Sequence, residues 1–279
     1  MTWYRGKKAY ITGGSSGIGK AMAIELARRG ASVFISARGE GRLQEALEEI
    51  KAAAASTDQV FASAVVDVSD RQQVEVVAAQ VLEGLGGLDL LVNNAGVSQV
   101  DLLENTTADD YRRMMDINYF GTVWTTSAFL PHFREQRAGV IAAVSSTLGM
   151  VGLYGYSAYA ASKHAVTGYC DCLRQDLLKY GVQISVLFPA DTDTPQFHEE
   201  NRNKPAETKA VAGTASLVSP ELVAKVFLDG VAAGEYQIIP GVANKLVLWS
   251  AHKIPWAMRW VIDRDLRKFW RGAPSAGEA

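Results

Sequence analysis

Between residues 9 and 239, short and nearly continuous apolar runs alternate with windows of helical period, and few folds accept that rhythm. The runs are Ala9–Thr12, Ser32–Ser36, Phe61–Val66, Leu88–Val92, Val140–Ser145, Ile184–Phe188 and Tyr236–Ile239. Strands covered on both faces of a parallel sheet have this unbroken apolar character, whereas half-exposed strands alternate. The helical windows are Gly17–Arg29, Arg42–Ala54, Gln72–Leu82, Tyr111–Phe133, Ser157–Tyr180 and Pro220–Ala232. Repeated β-α units with right-handed crossovers give an α/β fold with a doubly wound parallel sheet. Two stretches break the rhythm. Residues 190–219 are polar and read as a mobile loop or short helices over a site, and residues 241–279 form a C-terminal extension of different character. Residues 1–240 are expected to be one domain for cofactor binding and catalysis.

Composition narrows the partners. With 28 basic and 30 acidic side chains the net charge is −2, which gives no reason to expect nucleic acid. The two cysteines, Cys170 and Cys172, are two apart on an expected helix and point to different faces, so they read as small core residues rather than a disulfide. No His or Cys cluster suggests a metal. Met1 to Lys8 is short and polar, without a signal peptide, and no run reaches the ~20 apolar residues of a membrane-spanning helix. The expected location is therefore cytoplasmic.

The first strand leads into Thr12-Gly13-Gly14-Ser15-Ser16-Gly17-Ile18-Gly19, where a helix begins. Small residues let backbone approach a pyrophosphate closely, and the amides of a helix N-terminus face the anion. A glycine-rich loop could be a mere tight turn, but its place between strand and helix points to a Rossmann-type dinucleotide site. The second strand ends at Arg38, with Arg42 one helical turn on, where an acidic residue would take the adenosine ribose. A guanidinium can grip a 2′-phosphate bidentately, which favours NADPH over NADH; the alternative is two solvated arginines opening a helix.

Tyr159 and Lys163 are four apart on an expected helix and share one face. A free phenol is a poor acid or base at neutral pH, and a neighbouring ammonium is expected to lower its pKa and let it exchange a proton with a substrate oxygen. Ser146 ends the fifth strand and can orient a carbonyl; Ser145 is the weaker candidate by register. No Asp or His motif accompanies it, which argues against a hydrolase. Asp67 alone could also be a helix cap.

Together these motifs, with Asp67-Val68, Asn93-Asn94-Ala95-Gly96, Asn118 and Tyr159-Ala-Ala-Ser-Lys163, resemble the short-chain dehydrogenases/reductases over residues 8 to 195. The resemblance implies that Ser146, Tyr159, Lys163 and Asn118 are catalytic, with Asn118 kinking a helix and supporting a proton-relay water. It implies a cofactor held by Gly13, Ser15, Ser16, Gly17, Ile18 and Gly19, by Asp67 at the adenine amino group and Val68 along the ring, and by Asn94, Ala95 and Gly96 beneath the ribose. It also gives Lys163 the nicotinamide ribose, and Pro189, Thr192 and Thr194 the carboxamide. Where the family has Pro-Gly this chain has Pro189-Ala190, which is expected to restrict the turn slightly. Members of the family are often dimers or tetramers, so a homo-oligomer is expected.

The segment Pro189-Ala-Asp-Thr-Asp-Thr-Pro195-Gln-Phe197, with Glu199-Glu-Asn201 and Lys204-Pro-Ala-Glu-Thr208, is similar to the 3-ketodihydrosphingosine (3-dehydrosphinganine) reductases. That likeness implies NADPH-dependent reduction of the ketone of a long-chain amino alcohol, a lipid-like substrate. Asp191, Asp193, Glu199 or Glu200 could meet its ammonium, or each could be a solvated loop residue. Another hydrophobic ketone, such as a steroid or 3-oxoacyl chain, is the alternative substrate; an NADPH-sensing scaffold, expected to lack Tyr159 or Lys163, is the non-enzyme alternative. Residues 245–271 carry seven Lys/Arg against two Asp, four of the six tryptophans, and a stripe of Met258, Ile262, Leu266 and Phe269. Such a segment can lie peripherally on the cytoplasmic face of a bilayer or pack against protein, and the two readings stay open.

Overall fold

The computed structural model describes residues 3–202, 204–212 and 217–272. Met1 and Thr2 of the polar leader, residues 203 and 213–216 of the expected substrate loop, and residues 273–279 of the extension lie outside them. Seven parallel strands form one sheet: β1 (Lys8–Thr12), β2 (Ser32–Ala37), β3 (Phe61–Val65), β4 (Leu90–Asn93), β5 (Val140–Val144), β6 (Gln183–Leu187) and β7 (Gln237–Ile238). Their order is β3-β2-β1-β4-β5-β6-β7, so the chain winds outward from β1 in one direction, then crosses back to β4 and winds outward in the other.

Side chains alternate to opposite faces of each strand, and both faces are buried. Ala9, Ile11, Val33, Ile35, Leu90 and Val92 belong to one apolar layer. It is covered by α1 (Gly17–Arg28), α2 (Glu40–Ala52) and α9 (Pro220–Ala232). Tyr10, Phe34, Leu91, Ile141 and Ala143 belong to the other. That one is covered by α3 (Arg71–Leu85), α5 (Gly121–Gln136) and α6 (Ser157–Leu177). Two-sided burial is why the strands read as unbroken apolar runs.

The expected helix Tyr111–Phe133 is three pieces. A capping box between Thr107 and Asp110 starts α4 (Ala108–Met114) earlier, and a π-helical turn, Met115–Phe120, separates it from α5. The break falls at Asn118, as expected for a helix-kinking residue. The polar stretch after β6 holds two short helices, α7 (Pro195–Arg202) and α8 (Ala206–Ala212). Of the cysteines only Cys170 is in the core; Cys172 is exposed, because residues two apart on α6 cannot share its buried face.

The last described elements are α10 (Val242–Lys253) and α11 (Pro255–Gly272). Leu266 is buried and Met258, Ile262 and Phe269 are half-buried, so the apolar stripe is turned toward the protein. Trp249, Trp256, Trp260 and Trp270 stand outward, Trp256 at 69% exposure. The α11 helix packs on α8, and the ring of Trp270 lies 6.1 Å from that of Tyr154. No helix among the described residues is long and apolar enough to cross a membrane.

Candidate active site

The sheet changes winding direction between β1 and β4, and open parallel sheets bind ligands at the carboxyl end of such a switch. A cleft of about 530 Å³ opens there. Gly13 and Gly17 take φ of 69° and 53°, a left-handed backbone that favours glycine. A Cβ on Gly19 would lie 2.4 Å from both the Gly13 carbonyl oxygen and Asn94 Nδ2. The same Asn94 Nδ2 donates to the carbonyls of Thr12 (2.9 Å) and Gly13 (3.1 Å). In return Thr12 Oγ1 accepts from the amides of Asn94 and Ala95, each at 3.0 Å. The ends of β1 and β4 are thus tied into one floor. Ser16 sits at the N-cap of α1 without accepting a bond from the first turn, so those amides remain available to an anion. Ser15, Gly17 and Ile18 line the same wall.

Arg38 and Arg42 form the far wall with Asp67 and Val68. Both arginines are exposed, and among the described residues neither guanidinium has an ion-pair partner. Asp67 is not a helix cap: its Oδ1 accepts from Ser69 N (3.0 Å) and Ser69 Oγ (2.7 Å), while Asp70 caps α3. Ala95 and Gly96 line the cleft, as do Pro189 and Thr194 at the other end. Thr194 stands against the cradle, its Cγ2 3.1 Å from where a Gly17 Cβ would lie. Thr192 does not join it. Its side chain is buried, its hydroxyl donates to the Ala190 carbonyl (2.8 Å), and its backbone bridges to Val218. Ala190 is accommodated without strain, since Arg137 is the one non-glycine described residue with positive φ.

Tyr159 and Lys163 lie on one face of α6 at the inner end, both in the cleft wall. Ser146 Oγ is near enough to the Tyr159 phenol to favour its ionised form, and it accepts from Leu148 N at 3.1 Å. Ser145 is turned away: its hydroxyl donates to the Lys163 carbonyl (3.1 Å) and meets Thr167 Oγ1 (3.0 Å). The β5 register therefore presents Ser146 alone to the phenol.

The charge relation differs from the expected one. Lys163 Nζ donates to the Val144 carbonyl at 2.9 Å and lies 5.8 Å from the Tyr159 ring centroid. Burial lowers the Lys163 pKa to about 8. The Tyr159 pKa is not lowered: burial pushes it up, the Ser146 bond opposes, and the Glu200 and Asp191 carboxylates push it further up. Loss of water outweighs the Ser146 hydroxyl, so the phenol stays neutral at physiological pH.

Asn118 is fully used as a strut. Its Oδ1 accepts from Val97 N (2.8 Å), and its Nδ2 donates to Val97 O and Ser162 Oγ, both at 2.9 Å. Any relay through this residue therefore has to use the backbone of the π-helical turn. A Cβ on Gly96 would lie 3.0 Å from Asn118 Oδ1 and 3.3 Å from Lys163 Nζ, so glycine there lets three elements converge.

Sequence reasoning names Glu200 but misses the cluster it forms beside this group. Glu200 on α7 accepts the hydroxyls of Tyr156 and of Ser98 (2.5 Å) and lies 3.6 Å from Lys204 Nζ. Glu200 and Lys204 are four apart, a helical ion-pair spacing visible in the chain, but nothing local marks Tyr156 or Ser98 as their partners.

The arrangement has a glycine cradle that a Cβ would fill, open helix amides, two arginines without an ion-pair partner among the described residues, and a neutral phenol beside a serine. It suits a nicotinamide dinucleotide and a carbonyl compound. A family model described as short chain dehydrogenase matches residues 7–205. The 3-dehydrosphinganine reductase of Danio rerio is 41% identical over 83% of this chain and 70% of its own length. The 3-ketodihydrosphingosine reductase of Bos taurus matches with the same identity and coverage. A short chain dehydrogenase/reductase from Burkholderia phymatum, solved in complex with NAD, superposes with a TM-score of 0.80 at 27% identity, covering 91% of this chain and 95% of that one.

Proposed function

The chain belongs to the short chain dehydrogenase family, and from that premise we propose that it reduces 3-ketodihydrosphingosine to dihydrosphingosine with NADPH. The observation that carries the reaction type is the neutral Tyr159 phenol, with Lys163 on the same helical face, in the wall of the dinucleotide cleft. The relatives' substrate carries the choice of ketone.

A reduced nicotinamide, when bound, supplies the hydride. The chain's own residues do the rest. The Gly13–Gly19 loop and the first turn of α1 take the pyrophosphate, with Asp67, Val68, Asn94 and Ala95 around the adenosine. Arg38 and Arg42 suit a 2′-phosphate, which is the ground for NADPH over NADH. Thr194 and Pro189 line the cleft at the end given to the nicotinamide, and the family likeness gives Lys163, in the same wall, its ribose hydroxyls. Ser146 Oγ orients the substrate oxygen, and Tyr159 Oη gives its proton to that oxygen as the carbon receives hydride. The phenolate left behind is stabilised by Lys163 and Ser146 until it regains a proton. Burial that keeps the phenol protonated favours its use as an acid, the role reduction needs.

The C-terminal helices support a peripheral site on the cytoplasmic face of a membrane. Their tryptophans and cations are exposed, and α11 packs on α8. A homo-oligomer is expected by family likeness, and sedimentation equilibrium reads it directly.

The decisive assay follows NADPH oxidation with 3-ketodihydrosphingosine against a steroid ketone and a 3-oxoacyl chain. Preferred turnover of the first supports the reading, and equal or better turnover of the others refutes it. Sedimentation with anionic vesicles, with and without residues 245–279, tests the membrane contact; equal recovery of both forms would exclude it.

A further inference from the structure

Asp193, Glu199 and Glu200 lie on or next to α7, and the structure separates them. Asp193 pairs with His198 (2.6 Å) and Glu199 with Arg202 (2.6 Å), and all four side chains are exposed. Glu200 turns inward, its side chain only 12% exposed. An ionised carboxylate has acceptors alone, and Glu200 uses both oxygens. Oε2 accepts from Ser98 Oγ (2.5 Å) and Oε1 from the Tyr156 hydroxyl. Lys204 Nζ, 3.6 Å away on a side chain 5% exposed, supplies the counter-charge. That ammonium lies 5.8 Å from the Tyr156 ring centroid and 5.6 Å from that of Phe197. Three segments therefore meet at one carboxylate: the turn after β4 through Ser98, the N-cap of α6 through Tyr156, and α7 itself. The charge is both paired and hydrogen-bonded, the condition under which a carboxylate tolerates burial.

This junction is what attaches α7 to the body of the protein. None of the eight residues of α7 is fully buried, and among the described residues none of them belongs to an apolar layer of the core. Yet the segment is a wall of the dinucleotide cleft, lined there by Thr194, Pro195, Gln196 and Glu199. It begins at the glycine cradle, where Thr194 Cγ2 lies 3.1 Å from the position of a Gly17 Cβ. It ends at Tyr156, whose ring is 6.1 Å from that of Tyr159. A helix with so little apolar burial opens easily unless polar contacts hold it. Here those contacts come together at Glu200, which does not itself line the cleft.

We propose that Glu200 is a positioning residue for the reductase: through Ser98 and Tyr156 it holds α7 in place as the wall of the nicotinamide half of the cleft, and so sets how long the dinucleotide stays bound. It acts through the α7 backbone and the Gln196 and Glu199 side chains that α7 presents to the cleft. The adenosine half, built from Arg38, Arg42, Asp67 and Val68, takes no part in the junction. The inference rests on the dinucleotide reading above, but not on the identity of the ketone.

The test measures, by stopped-flow displacement, the rate at which NADPH leaves the full-length protein. Release that needs α7 to lift should speed up about tenfold when one charge-assisted bond of the junction is lost. Ser98→Ala removes one such bond and Glu200→Ala removes them all, so both should release NADPH faster, the second more than the first. Glu200→Gln, which keeps the shape and an acceptor, should restore part of the wild-type rate. Ser98→Ala made in the Glu200→Ala protein should add nothing further, because the hydroxyl then has no partner to lose. Adenosine 2′,5′-bisphosphate reaches only the adenosine half, and calorimetry should find its affinity at the wild-type value in every variant. Wild-type release rates in both single variants overturn the proposal. So does a bisphosphate affinity lost in step with that for NADPH, the mark of a general loss of structure. So does a Ser98→Ala effect that persists undiminished in the Glu200→Ala protein. A wild-type chain that binds neither NADPH nor the bisphosphate overturns the dinucleotide reading, and the inference with it. Ser98→Ala removes a single hydroxyl, so the release rate decides the matter even where Glu200→Ala does not fold.

Discussion

Lys163 should destabilise the protein it serves. Its ammonium is buried, and a group that titrates at about 8 in the fold against an ordinary 10.5 costs about 3 kcal/mol at neutral pH. Lys163→Met removes the charge and keeps the length of the chain. It also removes the donor to the Val144 carbonyl, a loss of about 1–2 kcal/mol. The net expectation is a variant about 2 kcal/mol more stable than wild type near pH 7, and inactive. The pH dependence identifies the cause. Below pH about 8 both the folded and the unfolded lysine hold the proton, and the full penalty applies. Between about 8 and 10.5 the unfolded chain holds a proton the folded one has released, so wild-type stability from this group rises by about 1.4 kcal/mol per pH unit. The variant's advantage should therefore shrink by about 2 kcal/mol on going from pH ~8 to ~9.5. Urea unfolding of both proteins without dinucleotide, at pH values spanning that window, measures it. Other titrating groups cancel in the difference between the two proteins. A variant less stable than wild type near neutral pH, or a difference that does not change with pH, would refute the account of Lys163 as a desolvated ammonium.

Three other outcomes follow from the site. Tyr159→Phe should lower kcat by about 10²–10⁴ while dinucleotide affinity, read by fluorescence titration, is retained; turnover at the wild-type rate would remove the phenol from the mechanism. Gly19→Ala forces a Cβ to 2.4 Å from Asn94 Nδ2 and the Gly13 carbonyl. It should abolish dinucleotide binding by calorimetry and cost about 1–3 kcal/mol in urea unfolding. Arg38→Asp should shift the NADPH-to-NADH ratio of kcat/KM by about ten- to a hundredfold toward NADH, and an unchanged ratio would assign the 2′-phosphate elsewhere.

Most of the fold and the cofactor floor can be read locally. The cradle glycines, Asn94, Arg38 and Arg42 are recognisable because backbone conformation and charge are set within a few residues. Thr192 departs from its expected role because its spacing resembles that of Thr194, yet the Val218 bridge turns it inward. The lowered phenol pKa expected for Tyr159 is absent for a related reason. Four-residue spacing places an ammonium near a phenol, but the depth of burial decides which state both groups prefer. The Ser98–Tyr156–Glu200 contacts link residues up to 102 positions apart, beyond the reach of any pattern.

Sequence alone settled the alternation of strands and helices, the glycine-rich turn between β1 and α1, and the pairing of Tyr159 with Lys163 on one helical face. These are short-range matters of side-chain period, steric freedom at glycine and helix geometry. Only the packed structure decided which serine is near the phenol, where the tail's tryptophans point, and that the Glu200–Lys204 pair meets Tyr156 beside the reacting group. Those depend on distances between distant segments and on the water excluded between them, and neither quantity is written in the order of the residues.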